Sequence, residues 1–208
     1  KRLQTDYLDI LQLRDPTPEK VARLNVLEDI SKLKEQGKVR FGSVTVGDNQ
    51  QTEQVLYAIE AGFDTVQLAY NMIFRTAIEK SIPSAQKAGV GVLVRGALCK
   101  GFLTSRIQNI PDEKRERGNF SQFSIEEAET LIKIQHDLDF LIIPGKRTLA
   151  QTAIQFALKP EGVSTTIPSM DQVTEVDDLV GALDAPPLTD AEIEKAIQII
   201  KSHEPVEY

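Results

Sequence analysis

Five short runs crowded with Val, Ile and Leu, each separated from the next by a longer stretch of helical periodicity, constrain this chain more than any other feature. The runs cover 7–13, 39–46, 65–70, 91–98 and 163–167, and they largely lack strict polar alternation. That is the pattern of strands covered on both faces of a parallel sheet. The helical stretches cover 18–36, 50–61, 78–88, 124–138, 148–158 and 190–201. Gly37, Gly62, Gly89 and Pro160 supply stops, while Ser124 with Glu127 and Thr189 with Glu192 form capping-box starts. Strand and helix in repeated alternation mean βαβ units with right-handed crossovers. Two architectures accept them, a doubly wound open sheet and a (β/α)8 barrel. No G-x-G-x-x-G follows the first run, so an α/β TIM barrel is the expected fold.

A barrel of that type has eight strands, and five are countable here. The expectation is therefore one partial barrel domain over 1–208 that lacks its first three strands. Those strands and their helices, roughly 90 to 110 residues of a barrel of ~250 or more, are expected before Lys1. The segment "IPDEKRERGNFSQF", 110–123, reads as an exposed loop on the face where barrel function resides.

Composition narrows the function. A net charge of −7 argues against a broad nucleic-acid or anionic-membrane footprint. No apolar run approaches the ~20 residues that span a bilayer. The single cysteine, Cys99, excludes an internal disulfide and fits a cytoplasmic protein. His136 and His203 lie far apart and Cys99 has no partner cysteine, so no metal site is expected.

Six stretches in order carry a resemblance: "QTDYLDILQLRD", "GKVRFGSVTV", "DTVQLAYNMIFR", "VGVLVRGALCKGFLTSR", "GKRTLAQTAIQFAL" and "STTIPSMDQVTEVDDL". Together they resemble the aldo-keto reductase family across nearly the whole chain. The resemblance implies a nicotinamide cofactor, NAD or NADP, and a small-molecule carbonyl substrate. Hydride passes to the carbonyl carbon while a Tyr, helped by Lys, Asp and His, supplies the proton. The Asp, Tyr and Lys would lie upstream of Lys1, so residues 1–208 alone are not expected to perform the full reaction.

Where the family projects its histidine, this sequence has Arg14. A guanidinium is always charged and offers five donors, so it can hold an oxygen but cannot act as a neutral proton donor. An arginine paired with Asp9 or Asp15 to finish the strand is the alternative. The resemblance assigns the cofactor face residue by residue. Thr45-Val46 stands where the family has Ser-Asn, and keeps the hydroxyl while losing the amide. Gln67 matches the glutamine that meets the nicotinamide carboxamide; a satisfied core amide is the other reading. Arg95-Gly96-Ala97-Leu98 replaces the Tyr-Ser-Pro-Leu pattern, so an arginine plane stands for the stacking ring. Arg106 matches a basic residue near the pyrophosphate, or is a solvated loop arginine.

In the segment that binds the adenosine end, Ser169, Asp171 and Glu175 occupy the phosphate-facing positions, and Asp178-Leu179 replaces Glu-Asn. No cation falls there. Carboxylates repel a ribose phosphate and suit a free 2′-hydroxyl, so NAD is expected to be tolerated at least as well as NADP. Acids decorating the first turn of a helix are the other reading. Two functions follow: an oxidoreductase reducing aldehydes or ketones, and a catalytically inactive barrel serving as a nucleotide-binding or regulatory subunit.

Overall fold

Four strands run parallel in register: β1 (Leu8–Arg14), β2 (Val39–Thr45), β3 (Thr65–Ala69) and β4 (Gly91–Arg95). With β7 (Val163–Thr166) they form a five-stranded sheet in the order β1-β2-β3-β4-β7. The computed structural model describes residues 3–14, 16–47, 51–203 and 206. Contacts divide the chain into two compact units. One comprises Lys1–Ala69, Thr76–Arg95 and Pro160–Thr165, and the other Tyr70–Arg75, Gly96–Lys159 and Thr166–Tyr208.

In the first unit, period-two alternation sends Val44, Val66, Leu68, Val92 and Val94 to one face of the sheet, where all are buried. Helix α2 (Val26–Glu35) packs on that face so closely that a Cβ on Gly42 would stand 2.9 Å from Ile30 Cγ2. Any side chain there would force Ile30 to shift. The Asp64 carboxylate accepts from Gly42 N at 2.6 Å and from Lys34 Nζ at 2.5 Å, tying the same helix to the sheet. Helices α3 (Gln51–Ala61) and α4 (Ser81–Ala88) complete the unit, and Gly89 closes α4 at φ 70°. The expected start of α3 at Gln50 lies outside the described residues.

Two expectations need correction in this unit. The helix read over 18–36 is two helices, α1 (Pro18–Arg23) and α2, broken at Leu24 and Asn25. Asn25 takes the left-handed conformation, φ 50° and ψ 35°, which Asn tolerates better than other side chains. The first strand is not covered on both faces. It ends the strand order, and Ile10 and Tyr7 are exposed by 36% and 43%.

The second unit is mostly helical. Helices α5 (Asp112–Glu116), α6 (Ile125–Asp137), α7 (Leu149–Leu158), α8 (Val173–Val180) and α9 (Asp190–Ser202) belong to it. Capping boxes at Ser124/Glu127, Thr148/Gln151 and Thr189/Glu192 start α6, α7 and α9. The segment 110–123 is not wholly an exposed loop. It holds α5 and a hairpin of β5 (Asn119–Phe120) with β6 (Phe123–Ser124). Aromatic packing accounts for this: Phe102 meets Phe120 and Phe123 edge-on at 5.9 and 5.7 Å, and Phe123 is buried. No described helix is long and apolar enough to cross a membrane.

Candidate functional site

Parallel pairing brings the C-terminal ends of β1, β2 and β3 into one row. Arg14 registers with Thr45, and Thr45 with Gln67. Side chains at paired positions share a face of the sheet, so this row is polar where the rows towards the strand starts, with Ile10 and Phe41, are apolar. Gln67 is buried at 8% exposure. Thr45 Oγ1 donates to Gln67 Oε1 at 3.4 Å and accepts from Gln12 Nε2. Beyond the row, Arg95 Nη2 donates to the Val46 carbonyl at 3.0 Å. The Arg95 side chain is thereby drawn over the end of β2.

Arg14 is exposed at the end of its strand. Asp9, offered by the sequence as its partner, gives its carboxylate to Arg40 at 2.6 Å. The other offered partner, Asp15, lies outside the described residues.

In the second unit a cavity of about 290 Å³ gathers Leu98, Arg106, Thr148, Ser169, Glu175 and Asp178. Of the residues the sequence nominated, five are brought together here. Gly96 and Asp171 are not part of the lining. Gly96 holds a turn at φ 68°, and its carbonyl accepts from the buried Asn71 amide at 2.9 Å. Asp171 is exposed beside the cavity.

The electrostatics of the cavity follow from α8. Glu175 Oε2 accepts from Asp171 N at 2.6 Å and Gln172 N at 3.3 Å, which anchors the carboxylate at the helix N-terminus. Its other oxygen is ion-paired with Arg106. The Asp178 carboxylate accepts from the Thr148 hydroxyl at 3.1 Å, while the Asp178 carbonyl accepts from Gln151 Nε2 at 2.9 Å. The carboxylates therefore do not act equally. Glu175 is neutralised by Arg106, and the acidic character falls on Asp171 and Asp178.

Sequence reading missed Thr148 and Gln12. Thr148 was marked only as the start of a helical stretch, and Gln12 sat unmarked inside a strand. Two buried groups are unsuited to chemistry. Burial pushes the Cys99 thiol up to about 12, so the nucleophilic thiolate is absent near neutrality. Burial also raises Tyr70 to about 12, against a smaller opposing effect of Arg75, and its ring stacks on Phe156 at 5.5 Å. Among the described residues no cluster of His, Cys, Asp and Glu could hold a metal.

Comparison with known proteins supplies the wider setting. The model of the Aldo/keto reductase family matches residues 1–201. The chain is 24% identical over 198 residues to the uncharacterised oxidoreductase YqkF of Bacillus subtilis, covering 95% of this chain and 61% of that protein. It is 34% identical over 108 residues to the aldo-keto reductase YhdN of the same organism, covering 51% and 31%. Among solved structures, the apo form of aldo-keto reductase AKR11C1 from Bacillus halodurans superposes with a TM-score of 0.74 at 24% identity, covering 100% of this chain and 66% of that one. The glycerol dehydrogenase AKR11B4 from Gluconobacter oxydans gives 0.75 at 25% identity, covering 98% and 62%. The chain thus spans less than two thirds of the length of YqkF, and 66% of AKR11C1. The fold is the α/β, TIM-barrel type of these neighbours, with five parallel-type strands in the sheet described above.

Proposed function

This chain belongs to the Aldo/keto reductase family, and we propose that it carries the dinucleotide-binding face of an NAD(P)-dependent oxidoreductase that reduces aldehyde or ketone groups. The observation that carries this reading is the convergence of Leu98, Arg106, Ser169, Glu175 and Asp178 on one cavity. Those residues come from two distant stretches of chain and include one cation suited to a diphosphate. Ligand cavities of this kind start at roughly 300 Å³, so a space of about 290 Å³ suits the adenosine end of a dinucleotide rather than all of it.

A nicotinamide, when bound, supplies the hydride. The rest falls to side chains of this chain. In the first unit Gln67, held by Thr45, meets the carboxamide. Arg95, drawn over the end of β2, lends its plane to the ring. Arg14, exposed at the end of β1, orients the oxygen of the acceptor. Its permanent charge favours an anionic or strongly polar carbonyl compound and leaves proton donation to another group. In the second unit Arg106 turns from Glu175 to the diphosphate, and Asp178 and Ser169 face the adenosine.

NAD is tolerated at least as well as NADP. A 2′-phosphate adds nearly two negative charges, and it would meet Asp171 and Asp178 while Arg106, the only cation among the described lining residues, is committed to the diphosphate. Equilibrium titration with NADH and NADPH tests this, and a clear preference for NADPH refutes it. A second reading, dinucleotide binding without turnover, is favoured by Arg14 and Arg95 standing at the strand ends in place of the family's histidine and aromatic ring. Saturable binding with no oxidation of bound NADH by any aldehyde or ketone offered would select it.

A further inference from the structure

A hydrogen-bonded relay runs across three strands on one face of the sheet. Gln12 on β1 donates from Nε2 to Thr45 Oγ1 at 2.5 Å, and Thr45 on β2 donates in turn to Gln67 Oε1 on β3 at 3.4 Å. A hydroxyl has a single proton and can both accept and donate. Gln12, as a donor, fills one of the two acceptor lone pairs and offers the proton no acceptor, so the proton goes to Gln67 Oε1. The Gln67 amide is then oriented with Oε1 toward Thr45 and Nε2 turned away from it. Gln67 is 8% exposed, so it has little water with which to satisfy the opposite orientation.

We propose that Gln12 is a positioning residue which, acting through Thr45, fixes Gln67 so that it presents its NH2 group. The inference rests on the reading of Gln67 as the carboxamide partner. A glutamine held in this way demands an acceptor, which is the carbonyl oxygen of the nicotinamide carboxamide. It is indifferent to the NH2 of that group. The site therefore accepts a dinucleotide whose carboxamide is replaced by a methyl ketone.

The substitution Gln12→Glu reverses the relay. A carboxylate only accepts, so the Thr45 proton turns to the introduced carboxylate, and the hydroxyl must then accept from Gln67 Nε2. Gln67 now presents Oε1, which needs the carboxamide NH2 and meets the ketone oxygen acceptor to acceptor. The substitution Gln12→Leu removes the bias without reversing it.

Affinities for NAD and for 3-acetylpyridine adenine dinucleotide, measured by equilibrium titration of the full chain, test this. Wild type is expected to bind the two within about threefold. In Gln12→Glu the ratio should shift by about tenfold toward NAD, and in Gln12→Leu by about threefold. Thermal melts of each variant exclude those that do not fold, and either variant alone suffices. A ratio unchanged in a folded variant overturns the inference, because a purely structural loss weakens both ligands together. Failure of wild type to bind either dinucleotide overturns the proposed function itself, and this inference with it.

Discussion

Arg147 and Glu192 form an ion pair between residues 45 apart in sequence, with the guanidinium 1% exposed. Arg147 Nη2 and Nη1 reach the two carboxylate oxygens, the latter at 3.5 Å, while Nε donates to the Leu141 carbonyl at 3.1 Å and Nη1 to that of Pro187 at 3.0 Å. Glu192 is at the same time the capping-box residue of α9. One carboxylate thus starts a helix and neutralises a buried charge. Removing one partner of such a pair costs roughly 3 to 5 kcal/mol. Glu192→Gln should lower the urea midpoint accordingly, whereas the exposed pair Arg40–Asp9 should contribute ~1 kcal/mol or less on Asp9→Asn.

The same pair sets a pH response. The hydrogen bond from Arg147 holds the Glu192 carboxyl at about 2, well below its ordinary 4.5. A depressed pKa means that the folded state binds this proton less readily than the unfolded chain does. Its stabilisation is complete above pH 4.5 and is lost as pH falls through 2. The stability gap between wild type and Glu192→Gln, followed by urea melts, should be full at pH 6 and should shrink progressively below pH 4.5. A gap that is constant down to pH 2 would contradict the assignment.

Nucleotide choice can be moved by one residue. Asp171 stands exposed beside the cavity with its backbone N–H already bound by Glu175. Asp171→Arg replaces a repelling charge with an attracting one and leaves that backbone contact in place. The NADPH to NADH affinity ratio should rise about tenfold or more, and the gain should fall as salt screens it. Titrations at two ionic strengths check both parts.

How far the sequence reached can be seen at particular residues. The strands were legible because runs such as Val39 to Thr45 are β-rich and bounded by glycine, and α6 and α9 because their capping boxes are written locally. The break at Asn25 was not legible. Neither glycine nor proline marks it, and only backbone angles reveal it. The hairpin within 110–123 was hidden because two-residue strands depend on contacts with distant Phe102. At the candidate site, resemblance nominated the cavity residues one at a time. The pairing of Arg106 with Glu175, and the grip of Thr148 on Asp178, come from tertiary placement that no local pattern encodes.

The break at Asn25 yields a prediction of its own. Holding a non-glycine, non-Asn residue in the left-handed region costs roughly 1 to 2 kcal/mol. Asn25→Leu should destabilise the protein by about that amount, and Asn25→Gly by less. Thermal melts of the two variants, compared with wild type, decide it.

The central claim is that Arg106 in its cavity and Gln67 in its strand-end row each contribute to binding a dinucleotide. Its most direct test is an equilibrium titration of NADH against wild type, Arg106→Ala and Gln67→Ala. Saturable one-to-one binding, weakened about tenfold in each variant, is the predicted result. No saturable binding by folded wild type, or binding that both substitutions leave unchanged, would contradict it.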